Sequence, residues 1–512
     1  MKTILKQIAE KTKQEERAER SAVIAELNNP TTSSDRRNFL KKAALGGVAL
    51  GGLLHLSIED TIAQTTQSVS RASSPADLRI TDLRIAEKGF GSPTRDTQST
   101  LPQRIIQIYT NQGISGIGDI RDGTDQRFAL FLKSKIVGLN PCNVEMLFKI
   151  VRQFGGHGRM GGGVSAVETA CWDICGKAYG VPVWQLLGGR YRDRIRCYAD
   201  TPDGGDVADQ RRRLLDRLNV QKFTWLKMDL RIANASQDGT LVNNNFWFNE
   251  NAPRGRSFAE GGYDSYSKKD HQFTQIQVTD KGLEAIQQRI EEVRSVVGTE
   301  VPISTDHYGY MDNNQMIRIG KAVDKYRLAW LEDTIPWYYY EQLKEIKTAI
   351  ETPVCTGEDI YMLTNGYKGG FKGLIDAQAV DIIHPDGMSA GGIMETKRIT
   401  DYAEEAGIPT AFHTNSTPIA WMAHVHCAAA SEGFLVLEHH HADTENWNNM
   451  VRTTGSKPLF TDGFANVPLD APGLGIELND DIVKSMMQDS SKYFEPTPEW
   501  DNPGRTYDKL WI

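Results

Sequence analysis

Paired cysteine motifs are missing from this chain. Its six cysteines, Cys142, Cys171, Cys175, Cys197, Cys355 and Cys427, include no CxxC and no metal-knuckle spacing, which argues against a disulfide scaffold. They read as small buried apolar residues, with Cys171 and Cys175 packing four apart on a helix. A basic stripe is lacking too. The formal net charge of −8 disfavours nucleic acid as the main partner, because phosphate binding is driven by clustered Lys and Arg. The apolar, Gly-rich stretch from Ala43 to Leu56 is too short for a comfortable membrane span of roughly 20 residues. What remains is a 512-residue chain with 39% hydrophobic and 24% charged side chains. That is enough to bury a large core and to hold more than one domain.

Ahead of that short stretch, Asp35-Arg36-Arg37-Asn38-Phe39-Leu40-Lys41 resembles a twin-arginine export motif with its apolar region behind it. A basic helix followed by a buried one is the competing reading. The resemblance implies a leader over 1–75, cleavage after Ala63 or Ala72, and a periplasmic or exported destination. It also implies no stable membrane insertion after processing. Because that route carries folded proteins, a cofactor would be loaded first and the thiols would stay reduced.

Residues 76–190 are expected to form an α+β domain. Leu78–Ile85 and Arg104–Thr110 alternate like antiparallel strands, with Gly113, Gly116 and Gly118 assigned to turns. Three or four helical segments follow between about Asp125 and Leu187, and Val164–Lys177 has helical apolar spacing. From Ile195 the pattern becomes short apolar runs separated by amphipathic helices, which is the mark of a parallel sheet of βα units. Eight runs can be counted over 191–445: Ile195–Asp200, Thr224–Asp229, Val301–Asp306, Leu328–Glu332, Pro353–Glu358, Ala379–Asp386, Pro409–His413 and Phe434–Glu438. Eight repeats suggest a closed barrel.

Nearly every run ends in an ionisable residue. Asp306, Glu332, Glu358, Asp386, His413 and Glu438 follow one another at intervals of 26, 26, 28, 27 and 25 residues, one βα unit each. In a (β/α)₈ barrel the carboxyl ends of the strands ring a single pocket, so these residues would converge. Asp306, Glu332 and Glu358 on three successive strands are hard oxygen ligands suited to Mg²⁺, one per active site. Without a cation they would raise one another's pKa, and a salt-bridge network, with Lys227 nearby, is the bland alternative. The insertion at 230–275, which carries Phe246, Trp247, Phe248, Tyr263 and Tyr266, leaves the pocket end of the second strand. It reads as an active-site lid or as disorder. The segment 446–512 is expected to return to the first domain.

The chain resembles the enolase superfamily, in its mandelate racemase-like branch. The motifs that carry this are Glu168–Gly189, Leu331-Glu332-Asp333, Thr356-Gly357-Glu358 and Pro472–Leu478, and Asp386-Gly-Met-Ser-Ala-Gly-Gly392 matches the sixth-strand motif. The resemblance implies a capping domain plus a modified TIM barrel, (β/α)₇β, with Asp306, Glu332 and Glu358 as Mg²⁺ ligands. It also implies that Asp386 orients His413 as the general base, and that a protonated Glu438 hydrogen-bonds the substrate carboxylate.

The departures from the family pattern shape the rest of the reading. The second strand has Lys227-Met228-Asp229 where the pattern is Lys-x-Lys. The opposite-face lysine is thus absent, and Lys227 is left to contact a carboxylate oxygen. Asp229 either hydrogen-bonds a sugar hydroxyl or pairs with Lys227. His307 and Tyr308 are candidates for the opposite-face acid. The Gly-rich segment Phe154–Gly163 lacks the ending of a P-loop. By position it resembles a cap loop, offering His157 and Arg159 to the substrate's distal end. With one clear base, dehydration of a sugar acid to a 2-keto-3-deoxy acid is favoured over racemisation or epimerisation of a hydroxy or amino acid. An exported, non-catalytic binding protein is the alternative of another class. The expected partner is a small carboxylate, and the assembly a homo-oligomer.

Overall fold

The structure, a computed structural model, describes residues 74–87, 104–201, 207–228, 241–242, 277–306, 311–366, 368–444, 446–487 and 489–502. The twin-arginine segment, nearly all of the 230–275 insertion, Asp229, His307 and Tyr308 lie outside the described residues.

An antiparallel sheet opens the described chain, with β1 (Ile80–Ala86), β2 (Arg104–Thr110) and β3 (Ser115–Ile120) in that order. Ile80, Leu83 and Ile85 of β1 and Ile106 and Ile108 of β2 turn to a core shared with the helices that follow. Those helices are α1 (Arg127–Leu130), α2 (Lys133–Ile136), α3 (Val144–Val151), α4 (Gly162–Tyr179) and α5 (Val183–Leu186). Only Gly113 lies in a turn. Gly116 and Gly118, expected in turns, are inside β3. A Cβ there would stand 2.1 Å from the carbonyl oxygens of Ala170 and Ala166 respectively, so these glycines let α4 lie directly on the strand backbone. Helix α4 is buried along most of its length. It ends where Gly180 adopts φ 71° and donates back to Gly176 and Lys177, a left-handed stop that suits glycine.

The eight apolar runs all become strands of one parallel barrel. These are β4 (Arg194–Thr201), β5 (Leu226–Met228), β8 (Ile303–Thr305), β9 (Leu331–Glu332), β10 (Val354–Thr356), β11 (Ile382–Ile383), β12 (Thr410–Phe412) and β13 (Phe434–His439), and β13 closes the ring by pairing with β4. A short ribbon, β6 (Leu241–Val242) with β7 (Gln277–Val278), is set between β5 and β8. Seven crossing helices connect the eight strands, namely 207–219, 280–297, 313–323, 340–349, 370–376, 393–405 and 418–430. Their starts are locally specified. Thr279, Asp312 and Thr417 accept hydrogen bonds from Gly282, Gln315 and Ile419, satisfying first-turn amides.

Inside the barrel lies a floor of Tyr198, Trp225, Trp330, Cys355, Ile382, Ala411 and Val436. Side chains two apart on a strand share a face. The residues two beyond this floor therefore also point inward, at the carboxyl end: Asp200, Lys227, Glu332, His384, His413 and Glu438. After β13 the chain adds β14 (Val451–Thr453), a hairpin of β15 (Phe460–Thr461) and β16 (Phe464–Asn466) that pairs antiparallel with β4, and β17 (Ile476–Leu478), which pairs with β14. It then meets α4, where Leu474 N donates to Asp173 Oδ1 at 2.9 Å. Tyr493 bridges to Ala86 of β1.

Candidate active site

Lys227 enters the ring from β5 and is 3% exposed. Its Nζ lies 3.2 Å from Asp306 Oδ2, 3.1 Å from Glu332 Oε1 and 3.0 Å from Glu438 Oε1. Burial pulls its pKa down, but the Glu332 and Glu438 carboxylates outweigh that and hold it well above the ordinary lysine value. Glu332 is likewise pushed up by burial and then drawn down to about 2 by His384 and Lys227. Trp330 Nε1 donates to Glu332 Oε2 at 2.9 Å, so both carboxylate oxygens have partners.

His413 forms the second half of the ring. Its Nδ1 lies 2.8 Å from Asp386 Oδ2, and its Nε2 lies 2.7 Å from Glu358 Oε2 and 3.5 Å from Glu438 Oε2. Burial disfavours the imidazolium, while Glu358, Glu438 and Asp386 together hold the His413 pKa well above its usual value. Asp386 is fixed from its other side. Met388 N donates to Oδ1 at 2.7 Å, and Arg121 Nε lies 3.4 Å from Oδ2. Arg121 and His413 keep Asp386 well below the carboxylate range against the effect of burial. Glu438 accepts from Thr414 N at 2.9 Å, and Lys227 and His413 hold it ionised despite its burial. The protonated Glu438 expected from sequence is a state with the substrate carboxylate beside it. A substrate carboxylate placed beside it would add a like charge and push its pKa up.

Of the remaining expected residues, Arg159 pairs with Asp122 and lies 3.5 Å from Glu358 Oε1 and 3.4 Å from Asp359 Oδ1. It is therefore held at the acid cluster. His157 packs against Trp337, the rings tilted by 33° with centroids 5.2 Å apart.

Four groups at the ring had no role in the sequence reading. Arg121, 1% exposed at the end of β3, reaches from the cap to Asp386, Glu358 and Asp359. His384, fully buried, lies 3.3 Å from Glu332 Oε1 and 3.2 Å from the Tyr198 hydroxyl. Its signal in the sequence is its place two residues after Ile382 and two before Asp386. Asp200 and His440 lie 3.0 Å apart at the seam between β4 and β13.

The donor set fits a hard divalent cation. Asp306, Glu332 and Glu358 belong to adjacent strand ends and offer carboxylate oxygens only. Burial, with their combined field added to it, drives neighbouring Asp333 well above the carboxylate range, as happens in a cluster short of positive charge. Among the described residues, the trio with ligand atoms all within 4.8 Å is a different one: Asp200, Glu438 and His440. The Lys227 ammonium borders both sets, but this trio includes an imidazole nitrogen, a softer donor than the oxygens a hard cation prefers. The three-carboxylate set is the better cation site.

Two family models match the chain, "Mandelate racemase / muconate lactonizing enzyme, N-terminal domain" over residues 83–188 and "Enolase C-terminal domain-like" over 263–482. A D-xylonate dehydratase of Haloferax volcanii is 27% identical over 450 residues, covering 86% of this chain and 96% of the relative. A D-galactonate dehydratase of Pectobacterium atrosepticum is 24% identical over 424 residues, covering 80% and 96%. Both names denote hydro-lyases. The crystal structure of a mandelate racemase/muconate lactonizing enzyme-like protein from Rubrobacter xylanophilus superimposes with a TM-score of 0.66 at 27% identity, over 81% of this chain and 99% of that one. With cap, closed barrel and both domain models in agreement, the chain belongs to the mandelate racemase/muconate lactonizing enzyme family of the enolase superfamily.

Proposed function

We propose that this chain is a hydro-lyase that dehydrates a sugar acid to a 2-keto-3-deoxy acid, with one Mg²⁺ held by Asp306, Glu332 and Glu358. The observation that carries the reading is the buried Asp386–His413 pair at 2.8 Å, set beside the ring of acids and Lys227. Dehydratases among its relatives support the same reaction class.

Bound Mg²⁺ supplies Lewis-acid stabilisation of negative charge developing on the substrate carboxylate. The chain's own residues do the rest. Asp386 accepts from His413 Nδ1, which leaves the lone pair on Nε2 to take the α-proton. Glu358 Oε2 faces that nitrogen at 2.7 Å and must give up the contact for the base to act. The electron pair of the broken C–H bond moves into the carboxylate as an enediolate, which Lys227 stabilises electrostatically from within the ring. The β-carbon–oxygen bond then breaks, a proton joins the departing hydroxyl, and water leaves. The resulting enol ketonises to the 2-keto-3-deoxy acid.

The test is a panel of acid sugars assayed for keto-acid formation with Mg²⁺. Keto acid from at least one member supports the reading. Inversion of the α-carbon without loss of water replaces it with an epimerase, and failure to exchange any α-proton favours a binding protein. We also propose a homo-oligomer and export by the twin-arginine route, on the strength of Arg36-Arg37 ahead of a short apolar stretch. Changing both arginines to lysine should leave unprocessed protein in the cytoplasm.

A further inference from the structure

We infer that Asp200 and His440 form a second carboxylate–imidazole pair, in which His440 is the catalytic acid that protonates the departing β-hydroxyl. This rests on the dehydratase reading above.

The placement follows from the barrel seam. Strand β13 pairs in parallel with β4, Glu438 beside Tyr198 and His439 beside Ala199, so the next position along brings His440 beside Asp200. Side chains two apart share a face, so His440 continues the inward side of Glu438 and Asp200 that of Tyr198. His439 takes the opposite face and is buried against Trp421, Trp447 and Phe460. His440 is different, with about a third of its side chain exposed (34%) and Asp200 at 18%.

Glu438 sits between two imidazoles. His413 Nε2 lies 3.5 Å from its Oε2, and His440 Nδ1 lies 3.9 Å from its Oε1. The base and the second imidazole therefore flank one carboxylate from its two oxygens. Burial lowers the His440 pKa, but Asp200 and Glu438 outweigh it and lift it to about 9, which leaves the ring charged and able to donate near neutral pH. Nδ1 faces Asp200, so the proton given up is the one on the other ring nitrogen. It passes to the β-oxygen as the carbon–oxygen bond breaks with its electron pair on oxygen, giving water and neutral His440, which solvent re-protonates.

The experiment uses His440→Gln and Asp200→Asn in the full chain, on two substrates: a sugar acid that the wild type dehydrates, and its analogue with fluoride in place of the β-hydroxyl. Fluoride leaves without a proton donor. Loss of a positioned acid should slow dehydration by about 10²–10⁴-fold in His440→Gln, with a smaller loss in Asp200→Asn. Exchange of the α-proton with deuterated solvent and fluoride release should stay within a few-fold of wild type. Dehydration by His440→Gln at the wild-type rate would overturn the inference, as would equal loss of exchange and fluoride release, which marks a structural role. Two bound cations per chain, one of them lost in His440→Gln, would overturn it in favour of a metal site. A wild type that exchanges the α-proton without ever forming keto acid brings down the dehydratase reading itself, and the acid role with it. A wild type that dehydrates beside an unimpaired His440→Gln brings down the acid role alone.

Discussion

Replacing Asp386 by Asn tests the imidazole's orientation with almost no change of shape. In the native site Asp386 Oδ1 accepts from Met388 N at 2.7 Å, and Oδ2 lies 2.8 Å from His413 Nδ1 and 3.4 Å from Arg121 Nε. Asn can keep its oxygen on Met388, but its amide nitrogen, a donor, then faces His413. Nδ1 must become the acceptor and the ring proton moves to Nε2, which removes the lone pair that takes the α-proton. Breaking an aspartate–histidine pair this way in a hydrolase costs about 10⁴ in kcat, equivalent to roughly 5.4 kcal/mol of barrier at 1.36 kcal/mol per tenfold. The variant should still fold. Removing one partner of a buried ion pair costs about 3–5 kcal/mol, and that is an upper bound here. Arg121 retains Asp122, Glu358 and Asp359, so roughly 1–3 kcal/mol is expected. The assay pairs keto-acid formation with α-proton exchange by NMR in deuterated buffer, and a thermal melt. Both rates should fall together by about three to four orders of magnitude in a folded protein. Activity within tenfold of wild type would refute the reasoning, since a donor in place of Oδ2 cannot leave the base intact.

Removing divalent metal with a chelator should abolish turnover, and Mg²⁺ should restore it and raise the melting temperature. The stabilisation is about 2.7 kcal/mol at a hundred times Kd; Glu332→Gln should lose this rise and Asp386→Asn keep it. Gly118→Ala forces a Cβ to within 2.1 Å of Ala166 O, so α4 must lift from β3. A loss of about 1–3 kcal/mol is expected, read as a drop in melting temperature, and an unchanged melt would mean that α4 yields freely. Asp119 is fully buried and accepts from Thr417 N at 2.8 Å, and burial lifts its pKa from 3.8 to about 8. The folded state therefore keeps a proton that the unfolded state sheds. This contribution to stability is full below 3.8 and is lost as pH climbs to about 8. The stability of wild type relative to Asp119→Asn should fall steadily from pH 5 to pH 8, and parallel melting curves across that window would contradict it.

The barrel and most of its ring were legible because two periodicities coincide in the sequence. Strand ends recur about every 26 residues, from Asp306 through Glu332 and Glu358 to Glu438, and within each strand the alternation of two sets the inward face. Tyr198 to Asp200, Trp225 to Lys227, Trp330 to Glu332, Ala411 to His413 and Val436 to Glu438 are each one such step. His384 obeys the same rule. It was passed over because the run was read through to Asp386, while the strand itself stops at Ile383. Gly116 and Gly118 misled for a different reason. Glycine suits a turn and also a strand that another backbone approaches, and only the position of α4 separates the two.

Arg121 had no local signal at all. It follows β3 in the cap, yet its partners Glu358, Asp359 and Asp386 belong to the fifth and sixth barrel strands. Its meaning therefore depends on how one domain lies on another. The charges explain why such a contact is needed. Asp306, Glu332, Glu358, Asp386 and Glu438 put five carboxylates at one end of a barrel whose floor is apolar. Lys227 reaches three of them, Asp306, Glu332 and Glu438. Within the barrel, Glu358 and Asp386 are left to His413, which the reaction must be able to deprotonate. A fixed positive charge from outside the barrel lets those two carboxylates stay ionised whether or not the imidazole carries its proton. A guanidinium, which does not titrate in this range, serves that purpose where a second histidine would not.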